Sequence, residues 1–160
     1  MDTNNKYLPV RYGLYSFAGI AVLFLIVKLF SLENEGYLRF LNVFIVLFFT
    51  NRLAKRNRQV EQNDNFLYAF GVLMLANVIT VIASVFSFVI YAMFIEPSFM
   101  DHFDGGIFWN DHVTIDKAAV ILFFEGMASA LAASFMMVIY WNERKPDNTS
   151  VPVEPEPTKK

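Results

Sequence analysis

Glu125 is the one carboxylate set deep in a long apolar run, Ala118 to Trp141. If that run is a membrane helix, Glu125 lies about eight residues, or about 12 Å, from its start and so close to the bilayer midplane. An acidic side chain at such depth costs about 3 kcal/mol, so it is expected to face the other helices and to be protonated or paired. Lys28 and Arg39, which enter the same half of the membrane from other segments, are its candidate partners. The chemistry on offer is a structural ion pair or a neutral hydrogen-bonded acid. The alternative is a carboxyl that handles protons or cations.

Three further groups surround this candidate. Asn77, Thr80, Ser84, Ser87 and Tyr91 recur at steps of three and four, which places them on one stripe of a helix. Such a stripe avoids lipid and hydrogen-bonds to a neighbouring helix, expected to be the one that holds Glu125. Gly126, Ala130 and Ser134 stand at every fourth position, where small side chains let helix backbones approach closely. Asp101-His102 and Asp111-His112 bring imidazoles and carboxylates together, the donor set of divalent ions. Their spacing matches no metal motif, so they are weak candidates and no metal or other cofactor is expected. No nucleophile elbow or catalytic triad spacing is present, and the chain is read as non-enzymatic.

The elements that position these groups follow from composition. The chain has 160 residues, of which 56% are apolar and only 18% charged, with 18 Phe and a mean hydropathy of +0.40. A domain this small exposes much of its surface, and so little charge could not cover it in water. The absence of Cys excludes disulfides, thiolate metal sites and cysteine nucleophiles. A net charge of −2 gives no reason to expect nucleic acid as a partner.

A hydrocarbon core of about 30 Å needs about 20 mostly apolar helical residues. Four stretches qualify or nearly so: 12–30, 37–53, 66–95 and 118–141. The second is short, with a clean centre only from Phe40 to Thr50. Charge resolves it, because Lys and Arg are retained on the cytoplasmic side of short connections. Four crossings put ten of the 13 basic residues inside, among them Arg52, Lys55, Arg56 and Arg58. The outer connections, 31–36 and 96–116, then contain acidic residues and no Lys or Arg. Tyr12, Tyr15, Tyr68, Tyr140 and Trp141 fall at the inner boundary, and Tyr37, Tyr91 and Trp109 at the outer.

The organisation expected is therefore a polar leader over 1–11, a transmembrane domain over 12–144 and a tail over 145–160. The tail holds four of the six prolines, which disfavour a helix and favour an extended segment. The fold class is an all-α polytopic bundle of four transmembrane helices with both termini cytoplasmic.

Asn65-Phe66-Leu67-Tyr68-Ala69-Phe70-Gly71 opens the third segment, and Tyr91-Ala92-Met93-Phe94-Ile95-Glu96-Pro97-Ser98-Phe99-Met100-Asp101 leaves it. In these residues the chain resembles a family of small bacterial four-span membrane proteins catalogued only as a domain of unknown function. The resemblance covers roughly Tyr7 to Lys145. It implies a four-helix architecture in a bacterial inner membrane, and it carries no activity or functional residues with it. The expected role is an accessory or structural subunit of the cytoplasmic membrane, with the lipid bilayer and a homo-oligomer or larger membrane complex as partners. The alternative is a small oligomeric transporter or channel that uses Glu125.

Overall fold

The structure is a computed structural model that describes residues 7–30, 40–61, 65–97, 100 and 114–143. Every long element is helical: α1 (Leu8–Leu29), α2 (Phe40–Glu61), α3 (Phe66–Ile90) and α4 (Ile115–Asn142), with a π-helical turn, Tyr91–Ile95, continuing α3. Pro9 sits in the first turn of α1, where its missing N–H has no intrahelical partner to lose. Asn65 caps α3, its Oδ1 accepting from the backbone N–H of Leu67 at 3.0 Å and of Tyr68 at 3.4 Å. That satisfies donors which a helix start would otherwise leave unpaired.

Three of the helices are long and apolar enough to cross a membrane: Leu8–Leu29, Phe66–Ile95 and Ile115–Asn142, with mean hydropathies of 1.9, 2.5 and 1.8. The first and last start earlier than the apolar runs 12–30 and 118–141. The second helix begins at Phe40 and carries on through Arg52, Lys55, Arg56 and Arg58, so only its first half is apolar. Large apolar side chains such as Leu25, Phe44, Leu75, Phe86, Phe124 and Phe135 are exposed on all four helices. Water-soluble monomers do not carry apolar surface on this scale, whereas lipid solvates it, and these are the features of a membrane protein.

Helix α3 lies between α1 and α4, and α2 completes the bundle against α1 and α4. The start of α1, the end of α2, the start of α3 and the end of α4 share one end, where Leu8, Leu53, Leu73 and Val138 form a buried cluster. The helices thus run up, down, up, down. Small residues set the close approaches. A Cβ on Gly13 would come within 2.6 Å of the Ala76 carbonyl oxygen, so α1 touches the α3 backbone at a distance only glycine allows.

Candidate functional site

Two polar clusters tie the bundle together, and one acidic group stands apart from both. The first lies where α2, α3 and α4 meet. The Thr50 hydroxyl donates to Asn77 Oδ1 at 2.9 Å, and Asn77 Nδ2 donates to Ser134 Oγ at 2.9 Å. All three side chains are buried, at 3%, 3% and 0% exposed. Asn is suited to this bridge because its amide accepts at one end and donates at the other. One turn further along α3, the Thr80 hydroxyl lies 3.0 Å from the Gly13 carbonyl and 3.1 Å from that of Ala76, joining α1 to the same axis. Ser84 and Ser87 follow on the half-buried face, and the Ser84 hydroxyl is buried with no hydrogen-bond partner among the described residues.

The second cluster is at the opposite end. Lys28 of α1 forms an ion pair with Glu96 and a hydrogen bond to the Tyr91 hydroxyl, which in turn donates to Glu96 Oε2. The Lys28 ammonium also sits 4.8 Å from the Tyr91 ring centroid, and Phe24 meets that ring edge-on at 5.1 Å. The π turn makes this possible. Residues five apart on an α-helix point about 140° away from each other. Here the Glu96 N–H reaches the Tyr91 carbonyl at 3.0 Å, an i→i−5 bond that brings both side chains round to Lys28. Pro97 holds Glu96 extended, at φ −147° and ψ 81°, and ends the helix there.

Glu125 belongs to neither cluster. The sequence places it toward the other helices, but it lies on the exposed side of α4 and has no hydrogen bond or ion pair to any described residue. Packing is the reason. The buried face of α4 is made by Gly126, Ala130 and Ser134, and a Cβ on Gly126 would meet Val81 Cγ1 of α3 at 2.9 Å. Glu125 and Ser134 are nine residues apart, about 180° round the helix, so one axis cannot turn both inward. Ala128, Ser129, Ala132 and Met136 share the exposed side with Glu125. Lys28, one of the two candidate partners of Glu125, is engaged by Glu96 instead. Arg39, His102, His112, Asp101 and Asp111 lie outside the described residues, as do the tail and the first six residues. Among the described residues no three His, Cys, Asp or Glu side chains gather as metal ligands would.

Both clusters contain residues that the pattern of the sequence did not single out. Thr50 closes the apolar half of α2, and Glu96 stands just before a proline. At the end of the bundle that holds Leu8 and Val138, Trp141 Nε1 donates to Asn51 Oδ1 at 2.8 Å, and Arg58 donates to the Trp141 carbonyl.

A family model described as "Protein of unknown function (DUF4199)" matches residues 11–104. The chain belongs to that family. The match takes in α1, α2 and α3, and with them Gly13, Lys28, Thr50, Asn77, Thr80, Tyr91 and Glu96. The whole ion-pair cluster thus falls inside the DUF4199 region, while α4, with Ser134 and Glu125, lies beyond it. No curated protein and no solved structure matches the chain.

Proposed function

We propose that the protein is a non-enzymatic accessory subunit of a bacterial cytoplasmic membrane, crossing it four times with both termini inside and docking to a partner through α4. The observation that carries this reading is the outward-facing Glu125, about 15 Å along a helix of about 42 Å. A carboxyl turned to lipid at that depth is unfavourable unless another surface covers it. Ala128, Ser129 and Ala132 beside it leave room for a second helix to approach closely. Charge complementarity defines the occupant as a transmembrane helix that presents a basic residue at the depth of Glu125. Inside the protein Lys28, near the far end, is already held by Glu96. Arg52, Lys55, Arg56 and Arg58 on α2 support the orientation, since short connections rich in Arg and Lys stay in the cytoplasm.

The test uses a labelled poly-leucine transmembrane peptide with one central lysine, and an all-leucine control, mixed with the labelled full chain in vesicles. The lysine peptide is expected to associate about ten-fold more tightly than the control, and Glu125→Gln to abolish the preference. Self-association of the chain through this face, with no preference for lysine, would replace the accessory reading with a homo-oligomer. For orientation, an impermeant thiol reagent applied to intact cells is expected to leave Ser150→Cys unlabelled and to label Ser98→Cys.

A second reading is favoured by the lack of any described partner on the Glu125 carboxyl, which leaves it open to exchange protons or cations in an oligomeric transporter. Proton and monovalent-cation flux into proteoliposomes decides between the two. Flux that is lost on Glu125→Gln selects the transporter, and silence in both proteins selects the subunit.

A further inference from the structure

At the end of the bundle where α2 carries Arg52, Lys55, Arg56 and Arg58, a small cleft opens between α2, α3 and α4. It has a volume of about 30 Å³, and Ala54, Asn57, Arg58, Asn65, Phe66 and Trp141 are among its lining residues. Asn57 is 4% exposed, yet its Oδ1 accepts no hydrogen bond from any described residue. A buried amide oxygen without a donor is unfavourable, and the cleft it lines is large enough for one or two water-sized groups. A ligand that displaces water from the cavity must therefore bring a donor of its own, such as a hydroxyl.

The surroundings of the cleft are basic. Arg58 is among its lining residues, and Arg52, Lys55 and Arg56 are exposed on the neighbouring turns of α2, so four positive charges fall within seven residues of the chain. The start of α3, with Asn65 at its cap, adds the positive end of a helix dipole. Trp141, amphipathic and wedged between α2 and α4, is the residue type that sits at headgroup level. Clefts of this kind between transmembrane helices, basic and at the membrane boundary, take anionic headgroups.

We infer that this cleft binds a phosphoglycerol group, with a hydroxyl of the glycerol donating to Asn57 Oδ1 inside and the phosphate resting near Arg58. Phosphate carries a donor only while it is protonated, whereas a glycerol hydroxyl is a donor at any pH, and a zwitterionic choline headgroup offers neither a donor nor net negative charge. The group could arrive on a membrane lipid or as a soluble ester, and the site has the same chemistry for both. The proposal is independent of Glu125 and of any partner helix.

The experiment measures thermal unfolding and ligand binding of the full chain in neutral detergent, titrated with phosphatidylglycerol, phosphatidic acid, phosphatidylcholine and soluble glycerol 3-phosphate. Phosphatidylglycerol is expected to raise the melting temperature and to bind more tightly than phosphatidic acid, which has the charge without the headgroup hydroxyls. Asn57→Leu is expected to weaken phosphatidylglycerol about five-fold, the equivalent of one hydrogen bond, while leaving phosphatidic acid unchanged. Because that variant alters a buried site, Lys55→Gln with Arg56→Gln serves as a surface control, expected to weaken both anionic lipids and not phosphatidylcholine. A response to glycerol 3-phosphate equal to that of the lipid would assign the site to a soluble ester. Equal binding of phosphatidylglycerol and phosphatidylcholine, with no effect of glycerol 3-phosphate, would overturn the proposal. So would equal binding of phosphatidylglycerol and phosphatidic acid that Asn57→Leu does not separate.

Discussion

Replacing Asn77 by Leu removes the amide that links α2 to α4 through α3. Two interhelical hydrogen bonds disappear, Thr50 to Asn77 and Asn77 to Ser134, each 2.9 Å long. Such bonds within membrane bundles contribute about 0.6 kcal/mol on average and about 1.7 at most. The loss should therefore fall between about 1 and 3 kcal/mol. The two hydroxyls left behind can turn back to carbonyls of their own helices, which keeps the cost from reaching the full penalty of stranded polar groups. Thr50→Val keeps the shape of the side chain and removes only its donor, so its cost should be about 0.6–1.7 kcal/mol. Because the Thr50 hydroxyl donates to Asn77, Thr50→Val should cost much less when Asn77 is already Leu. A double-mutant cycle then returns a coupling of at least about 0.5 kcal/mol. Reversible unfolding in mixed micelles, followed in a Trp109→Phe background by the fluorescence of Trp141, which is bonded to Asn51 two turns or less from the network, reads all four proteins. Additive effects with no coupling would refute the network as a source of stability, and so would an Asn77→Leu variant as stable as the wild type.

Gly13 and Gly71 should respond oppositely to alanine. At Gly13 the new methyl meets backbone 2.6 Å away and must push α1 from α3, costing about 1–3 kcal/mol, whereas at Gly71 nothing lies within 4 Å and better helix propensity should stabilise by about 0.5–1 kcal/mol in the same unfolding assay. Lys28→Met should cost less than about 1 kcal/mol, because both partners of the ion pair are about a third exposed. Its effect should be smaller in a Glu96→Gln background, where only the contacts with Tyr91 remain, and should shrink with added salt. Asn65→Ala removes the cap of α3 and should cost about 1 kcal/mol, with hydrogen exchange rising first at the amides of Leu67 and Tyr68.

Much of the architecture is legible along the chain, and its limits have definite causes. Long apolar runs fix where helices lie, since lipid tolerates no unpaired backbone. Helical periodicity places Asn77, Thr80, Ser84, Ser87 and Tyr91 on one face, and that face is turned into the bundle at Asn77 and Thr80. The same periodicity already separates Glu125 from Ser134 by half a turn, so the sequence contained the conflict between an inward carboxyl and an inward small-residue stripe. It could not decide which would prevail, because α4 is apolar nearly all round and hydropathy does not fix its rotation. Contact with α3 decided it: Gly126 against Val81 and Ser134 against Asn77 require close approach, and Glu125 goes to the other side. Lys28 shows the same limit. Regular α-helical phase sets Glu96 well away from Tyr91, and only the π turn at the end of α3 returns it to the Lys28 side. The sequence by itself determined the apolar segments, the polar stripe and the distribution of charge, which depend on local composition and period. Which face meets which neighbour was decided by the tertiary structure, because close packing of small residues and a local change of helical pitch act between segments that are distant along the chain.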